Sequence, residues 1–153
     1  MSTVELQIAE RAKKYKGEAL HNLHHFIDVT VLQESYKELN KHSTKGVDEV
    51  TWQQYGDKLK ERLPGLLGEF KSGRYKAPAI RHVYIPKDKH SKRPIGIPTI
   101  EDKVLQASVV KVVEPVYEKE FKDFSYGFRP GRSQHQAIDR MFKGVSFEGK
   151  HYI

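Results

Sequence analysis

The sequence contains no cysteine. That excludes disulfides and thiolate metal sites, so any zinc would need histidine and carboxylate ligands alone. No stretch of eighteen uninterrupted apolar residues occurs, as a membrane-crossing helix would require, and the opening MSTVELQIAERAKKYKG turns charged too early for a secretory signal. These absences predict a cytoplasmic protein. Also missing are the G-x-x-x-x-G-K-[ST], G-x-G-x-x-G and G-x-S-x-G motifs, and with them the common phosphate loops and the exposed serine nucleophile. Acidic residues are the scarcer charge: 20 Asp and Glu stand against 27 Lys and Arg, for a net charge of +7. A basic surface attracts polyanions. Nucleic acid is favoured over an anionic membrane, because no strongly basic helix carries a bulky aromatic face. What is present suits folding: 153 residues, 37% hydrophobic and 31% charged, are enough for one compact core or one piece of a larger machine.

The apolar pattern is mainly helical. Val4, Ile8, Ala12, Tyr15 and Ala19 recur at about helical spacing, with Ser2 and Glu5 as a capping box. A second helix is expected after Asp28 or Thr30, carrying Val31, Leu32, Tyr36 and Leu39 on one side, and Gly46 in the following loop is expected to take a positive φ. Thr51 and Gln54 repeat the capping pattern. The stripe Leu59, Leu63, Leu66, Leu67 and Phe70 continues to Gly73, with Pro64 predicting a kink or two abutting helices. The period then changes: IRHVYIPK and RPIGIPT read as an antiparallel pair with a longish polar turn. Helix returns at Thr99 with Asp102 as a shorter capping partner, places Leu105, Val109, Val112 and Val116 on one face, and is expected to bend or end at Pro115. A glycine- and proline-containing loop leads to a last helix with Ser133 and Gln136 as its capping box.

Two constellations carry chemistry. Between Arg74 and Pro94 lie seven cations, Arg74, Lys76, Arg81, Lys87, Lys89, Lys92 and Arg93, against the single acid Asp88, with His82 and His90 besides. One reading is a lysine-rich edge that blocks sheet aggregation; the other is a site for an anionic partner. Lys87 leaves the first strand and Arg93 enters the second, so the two can clamp one multi-phosphate group as a point charge and a planar fork. Pro86 and Pro94 restrict the backbone there. In SYGFRPGRS, Tyr126 and Phe128 are either core plugs beneath the loop or stacking surfaces for bases, while Arg129 and Arg132 are candidates for phosphates of a single strand. His21 and His25, four apart, lack a third ligand of evident spacing, so no metal is assigned.

GVDEVTW, RHVYIPKDKHSKRPIGIPTIEDKVLQ and EKEFKDFSYGFRPGRSQHQAI resemble, in order and spacing from about Ile27 to Phe142, the early blocks of bacterial group II intron-encoded reverse transcriptases, or maturases. The resemblance implies an α+β, mainly helical fold: N-terminal helices plus an antiparallel β-hairpin, like the fingers subdomain of such an enzyme. It implies a helical extension over 1–26, the fingers region over 27–148, and at 149–153 the start of the first palm strand, cut before its aspartate. Lys87 and Arg93 would then contact the triphosphate of an incoming deoxynucleotide. Arg81, Lys89, Lys92, Tyr126, Gly127, Phe128, Arg129, Gly131 and Arg132 would lie against RNA, as template or as intron RNA during splicing and retrotransposition.

Nucleotidyl transfer in such enzymes uses two metal ions held by palm aspartates. The chain alone is therefore expected to bind RNA without polymerising, with no catalytic residue and no cofactor of its own, Mg2+ being expected of the full-length enzyme. The missing palm and thumb domains would be partners. A competing expectation is assembly or self-association, as a homodimer, through an apolar patch of Val145, Phe147, Tyr152 and Ile153; another is the fingers of a non-intron bacterial reverse transcriptase.

Overall fold

The computed structural model describes residues 3–15, 21–89 and 91–147. Ser2, Ala19, His90 and the strand expected at 149–153, with Tyr152 and Ile153, lie outside them. In order, the elements are α1 (Thr3–Lys14), a short 3-10 turn (Leu23–Phe26), α2 (Val29–Glu38), α3 (Trp52–Asp57), α4 (Leu59–Lys71), β1 (Arg81–Pro86), β2 (Lys92–Ile97), α5 (Ile100–Glu120) and α6 (Gln134–Phe147). The fold is α+β and mainly helical, with one antiparallel two-stranded sheet.

Helix α5 is the centre. Its buried Ile100, Val104, Leu105 and Val112 meet Ile8 of α1, Ile27, Leu32 and Tyr36 of the α2 region, Tyr55 of α3, and Leu63 and Leu66 of α4. Ile8, within the first 26 residues, is thus part of this one core. Where α2 and α5 come together the core is polar but satisfied. The hydroxyls of Ser35 and Ser108 are 2.9 Å apart, and Ser108 donates to the Val104 carbonyl at 2.8 Å; small side chains let the helices approach, and mutual bonding removes the penalty of burial. Tyr36 and Trp52 stack with ring centroids 4.6 Å apart and exchange hydrogen bonds with each other's backbone carbonyls.

Local signals account for most helix starts. Asp28 caps α2 by accepting from the Val31 amide at 2.8 Å, and Thr51 with Gln54 forms the complete capping box of α3. The Ser133 and Gln136 pair does the same ahead of α6. Four expectations are corrected. Gly46 does not have a positive φ; among the described residues the glycines that do are Gly73 and Gly131. A Cβ on Gly46 would lie 2.7 Å from Thr99 Cα and 2.8 Å from Thr99 N, so glycine is required by close backbone approach rather than by its own dihedral. Lys103 ties down the same loop, donating to Ser43 Oγ at 2.6 Å and the Thr44 carbonyl at 2.8 Å.

The two helices expected around Pro64 do abut, but at Lys58, and α4 runs through Pro64. Pro64 and Lys60 are both exposed, so the carbonyl that loses its amide partner turns to water. Pro115 does not end α5, which continues to Glu120; burial of Val112 and Pro115 in the core holds the helix where propensity alone would stop it. Asp102 does not complete a capping box. Thr99 accepts from the Asp102 amide, while the Asp102 carboxylate accepts from Tyr75 Oη at 3.1 Å and Gln106 Nε2 at 2.7 Å.

Candidate nucleic-acid interface

The hairpin register pairs Arg81 with Ile97, Ile85 with Arg93 and Pro86 with Lys92, and the Lys87 amide donates to the Ser91 carbonyl at 3.0 Å. Opposite residues share a face. Lys87 and Arg93 therefore stand on the same face as diagonal neighbours, roughly 7–8 Å apart at Cα. Lys92 stands on the other face with Tyr84, an exposed aromatic that the charge pattern does not point to and that strict alternation along β1 would have found. Lys89 is in the turn.

Asp88, the sole acid in this stretch, holds the turn together: its carboxylate accepts from the Ser91 amide at 2.8 Å and the Ser91 hydroxyl at 2.6 Å. Among the described residues no carboxylate forms an ion pair with Lys87, Lys89, Lys92 or Arg93; Arg81, at the root of β1, pairs with Glu49 at 2.7 Å. Both members of that pair are solvent-exposed, so it is worth at most about 1 kcal/mol and yields readily to a competing anion. Among the described residues, the tip thus groups Lys87, Lys89, Lys92 and Arg93 without an ion pair to any of them.

The loop between α5 and α6 divides its two arginines. Arg132 has no carboxylate partner among the described residues, and its guanidinium lies over the Tyr126 ring at 5.3 Å. Arg129 is engaged inside the protein. Its Nε and Nη2 donate to the two oxygens of Glu118 at 3.0 and 2.9 Å, Nη1 donates to the carbonyls of Lys122 and Ser125, and the guanidinium covers the Phe121 ring at 4.9 Å. With the side chain only 7% exposed, the geometry does not present Arg129 to a phosphate. The hydrogen bonds from Arg129 hold the Glu118 carboxyl below its usual range, and Glu118 in turn raises the pKa of the guanidinium. Phe128 is not a core plug. It is fully exposed and has a φ of +56°. Gly131 has a positive φ as well, and a Cβ on Gly127 would meet open space. Glu118 was invisible to motif reading because it lies on α5, eleven residues from its partner.

The description "Reverse transcriptase (RNA-dependent DNA polymerase)" matches residues 85–151, from the end of β1 onward. The chain is 39% identical over 107 residues to the group II intron-encoded protein LtrA of Lactococcus lactis subsp. cremoris, an overlap of 67% of this chain and 17% of that one. It is of the reverse transcriptase kind and resembles the N-terminal region of those encoded by group II introns. Protein YkfC of Escherichia coli is 42% identical over 95 residues, covering 62% of this chain and 25% of its own. Nuclear intron maturase 2, mitochondrial, of Arabidopsis thaliana is 38% identical over 47 residues, 29% of this chain and 6% of that protein. This reverse-transcriptase-like chain therefore spans a quarter or less of the curated relatives it matches.

Among the described residues no group of three or more His, Asp or Glu side chains could hold a metal ion. No described helix is long and apolar enough to cross a membrane.

Proposed function

We propose that this chain binds RNA through the tip of the β1–β2 hairpin and the loop before α6, as the fingers of a group II intron-type reverse transcriptase. The observation that carries the reading is the hairpin tip: Lys87, Lys89, Lys92 and Arg93 gathered around a turn whose only acid is engaged with Ser91. A protein tolerates such self-repulsion where an anionic partner relieves it. In the whole protein, working with Mg2+ held elsewhere, Lys87 and Arg93 on their shared face grip the triphosphate of the incoming deoxynucleotide. Lys89, Lys92 and Arg132 serve the RNA strand, in template copying and in binding intron RNA during splicing. Cytoplasmic location belongs to the same reading.

The test is a filter-binding series with single-stranded RNA. If Lys89, Lys92 and Arg132 each meet a phosphate, log K falls with log salt at a slope of roughly −2. Replacing Lys89 and Lys92 with Ala flattens the slope by about 0.7 for each phosphate that is no longer neutralised. Lys87→Ala and Arg93→Ala mainly raise the KM for deoxynucleotide in the full-length enzyme. A slope near zero rejects the reading, and equal effects of both pairs on RNA affinity reject the division of labour.

One observation favours a second reading, self-association. On α6, Ile138, Met141, Phe142 and Val145, at helical spacing, are each more than half exposed, a contiguous apolar stripe of the sort found at protein interfaces. Sedimentation velocity at several concentrations decides it: a concentration-dependent shift supports self-association, and Met141→Lys abolishes the shift if this stripe is the contact.

A further inference from the structure

Among the described residues, Phe128 combines two unfavourable features. The residue is fully exposed, so it gains no burial from the described residues, and its φ of +56° places a bulky side chain in the left-handed region. For a non-glycine side chain that conformation costs about 1–2 kcal/mol, and it persists only when the neighbours over-determine it. The residue that does so is the next one. Arg129 is fixed by a bidentate pair to Glu118 on α5 and by two further hydrogen bonds to the carbonyls of Lys122 and Ser125. The Arg132 amide closes the turn onto the Arg129 carbonyl at 3.2 Å. We propose that Glu118 and Arg129 form a staple that holds Phe128 outward as a stacking surface for an unpaired base of single-stranded RNA.

Its surroundings select a base over a phosphate. Phe128 stands at the edge of an open apolar cleft of about 270 Å3 whose lining includes Val110, Val113, Tyr117 and Phe121 together with Glu114 and Glu118. Glu118 is neutralised by Arg129, but the Glu114 carboxylate at this cleft disfavours a phosphate, while the apolar lining accepts the face of a base. Phosphate recognition falls instead to Arg132, four residues on and, among the described residues, without a carboxylate partner. Arg129 is a positioning residue in this arrangement, and Phe128 the residue that touches the ligand. The inference rests on the proposed RNA-binding function and adds to it the ligand group recognised at this loop.

The experiment compares a labelled oligoribonucleotide with the same ribose-phosphate strand lacking bases, over a salt series. Phe128→Ala should weaken binding of the base-bearing strand about tenfold, the usual effect of losing one stacking ring, leaving the abasic strand and the salt slope unchanged, whereas Phe128→Trp should retain binding. Glu118→Gln should weaken the base-bearing strand in the same way although it makes the chain more positive, and the double variant with Phe128→Ala should be no weaker than Phe128→Ala alone. Tighter binding by Glu118→Gln would show that Glu118 merely repels RNA and would overturn the staple. So would a Phe128→Ala protein that still prefers bases, a readout that stands even if the Glu118 variant folds poorly because Phe128 is fully exposed. If the unaltered chain binds neither strand with a salt dependence, the underlying reading fails; if it binds both steeply and only the base discrimination is absent, the reading survives and the staple does not.

Discussion

Arg129 and Arg132 are three residues apart in one loop, yet Glu118 separates their roles. A guanidinium held by two carboxylate oxygens and two backbone carbonyls is a structural tie, and a guanidinium against a tyrosine ring remains available to an anion. The tie has a pH signature. Because Arg129 lowers the Glu118 pKa, its stabilisation is fully present above the ordinary carboxylate value of about 4.3 and is lost as pH falls through the depressed folded value. Base discrimination at the loop should therefore be constant from neutral to mildly acidic pH and disappear only in stronger acid, as equilibrium binding against pH would show. Tyrosine behaves in the opposite sense. Burial first, and then the neighbouring carboxylates Asp57, Glu101 and Asp102, raise the pKa values of Tyr36, Tyr55 and Tyr75 respectively. A raised folded pKa contributes stability below the unfolded value of about 10, lost as pH climbs through the folded value. In an alkaline absorbance titration Tyr36, Tyr55 and Tyr75 should ionise later than a free tyrosine.

At the scale of elements, capping residues are local and are legible in the chain: Asp28, Thr51 with Gln54, and Ser133 with Gln136 each bond amides within three residues. Thr51→Ala should cost about 1 kcal/mol in urea unfolding. Prolines mislead because their effect depends on what surrounds them. Pro64 is tolerated where the helix faces water, and Pro115 where it and Val112 are buried in the core. Gly46 shows the same limit. A glycine after a lysine reads as a turn, but the constraint comes from Thr99, more than fifty residues away. Gly46→Ala must displace backbone at that contact and should cost about 1–3 kcal/mol, measured as a lower urea midpoint with unchanged m-value.

For the whole molecule, the surface combines a charge excess with an exposed apolar stripe on α6, and both were partly legible. The basic hairpin could be read from composition and alternation because strand periodicity alone decides which side chains share a face. The amphipathic pattern likewise identified α1, α2, α4 and α5 as helices, since apolar spacing records which side must be buried, and α6 was marked by its Ser133 and Gln136 capping box. The sequence by itself determined the helical content, the hairpin, its positive tip and the kinship with reverse transcriptases, all of which depend on neighbours a few residues apart or on a long run of matching residues. Only the tertiary structure decided that Arg129 is sequestered, that Phe128 is displayed, and that Gly46 yields to Thr99. Each of these depends on a contact made when α5 packs against distant or loop segments, and an ion pair or a close approach of that kind leaves no period in the chain.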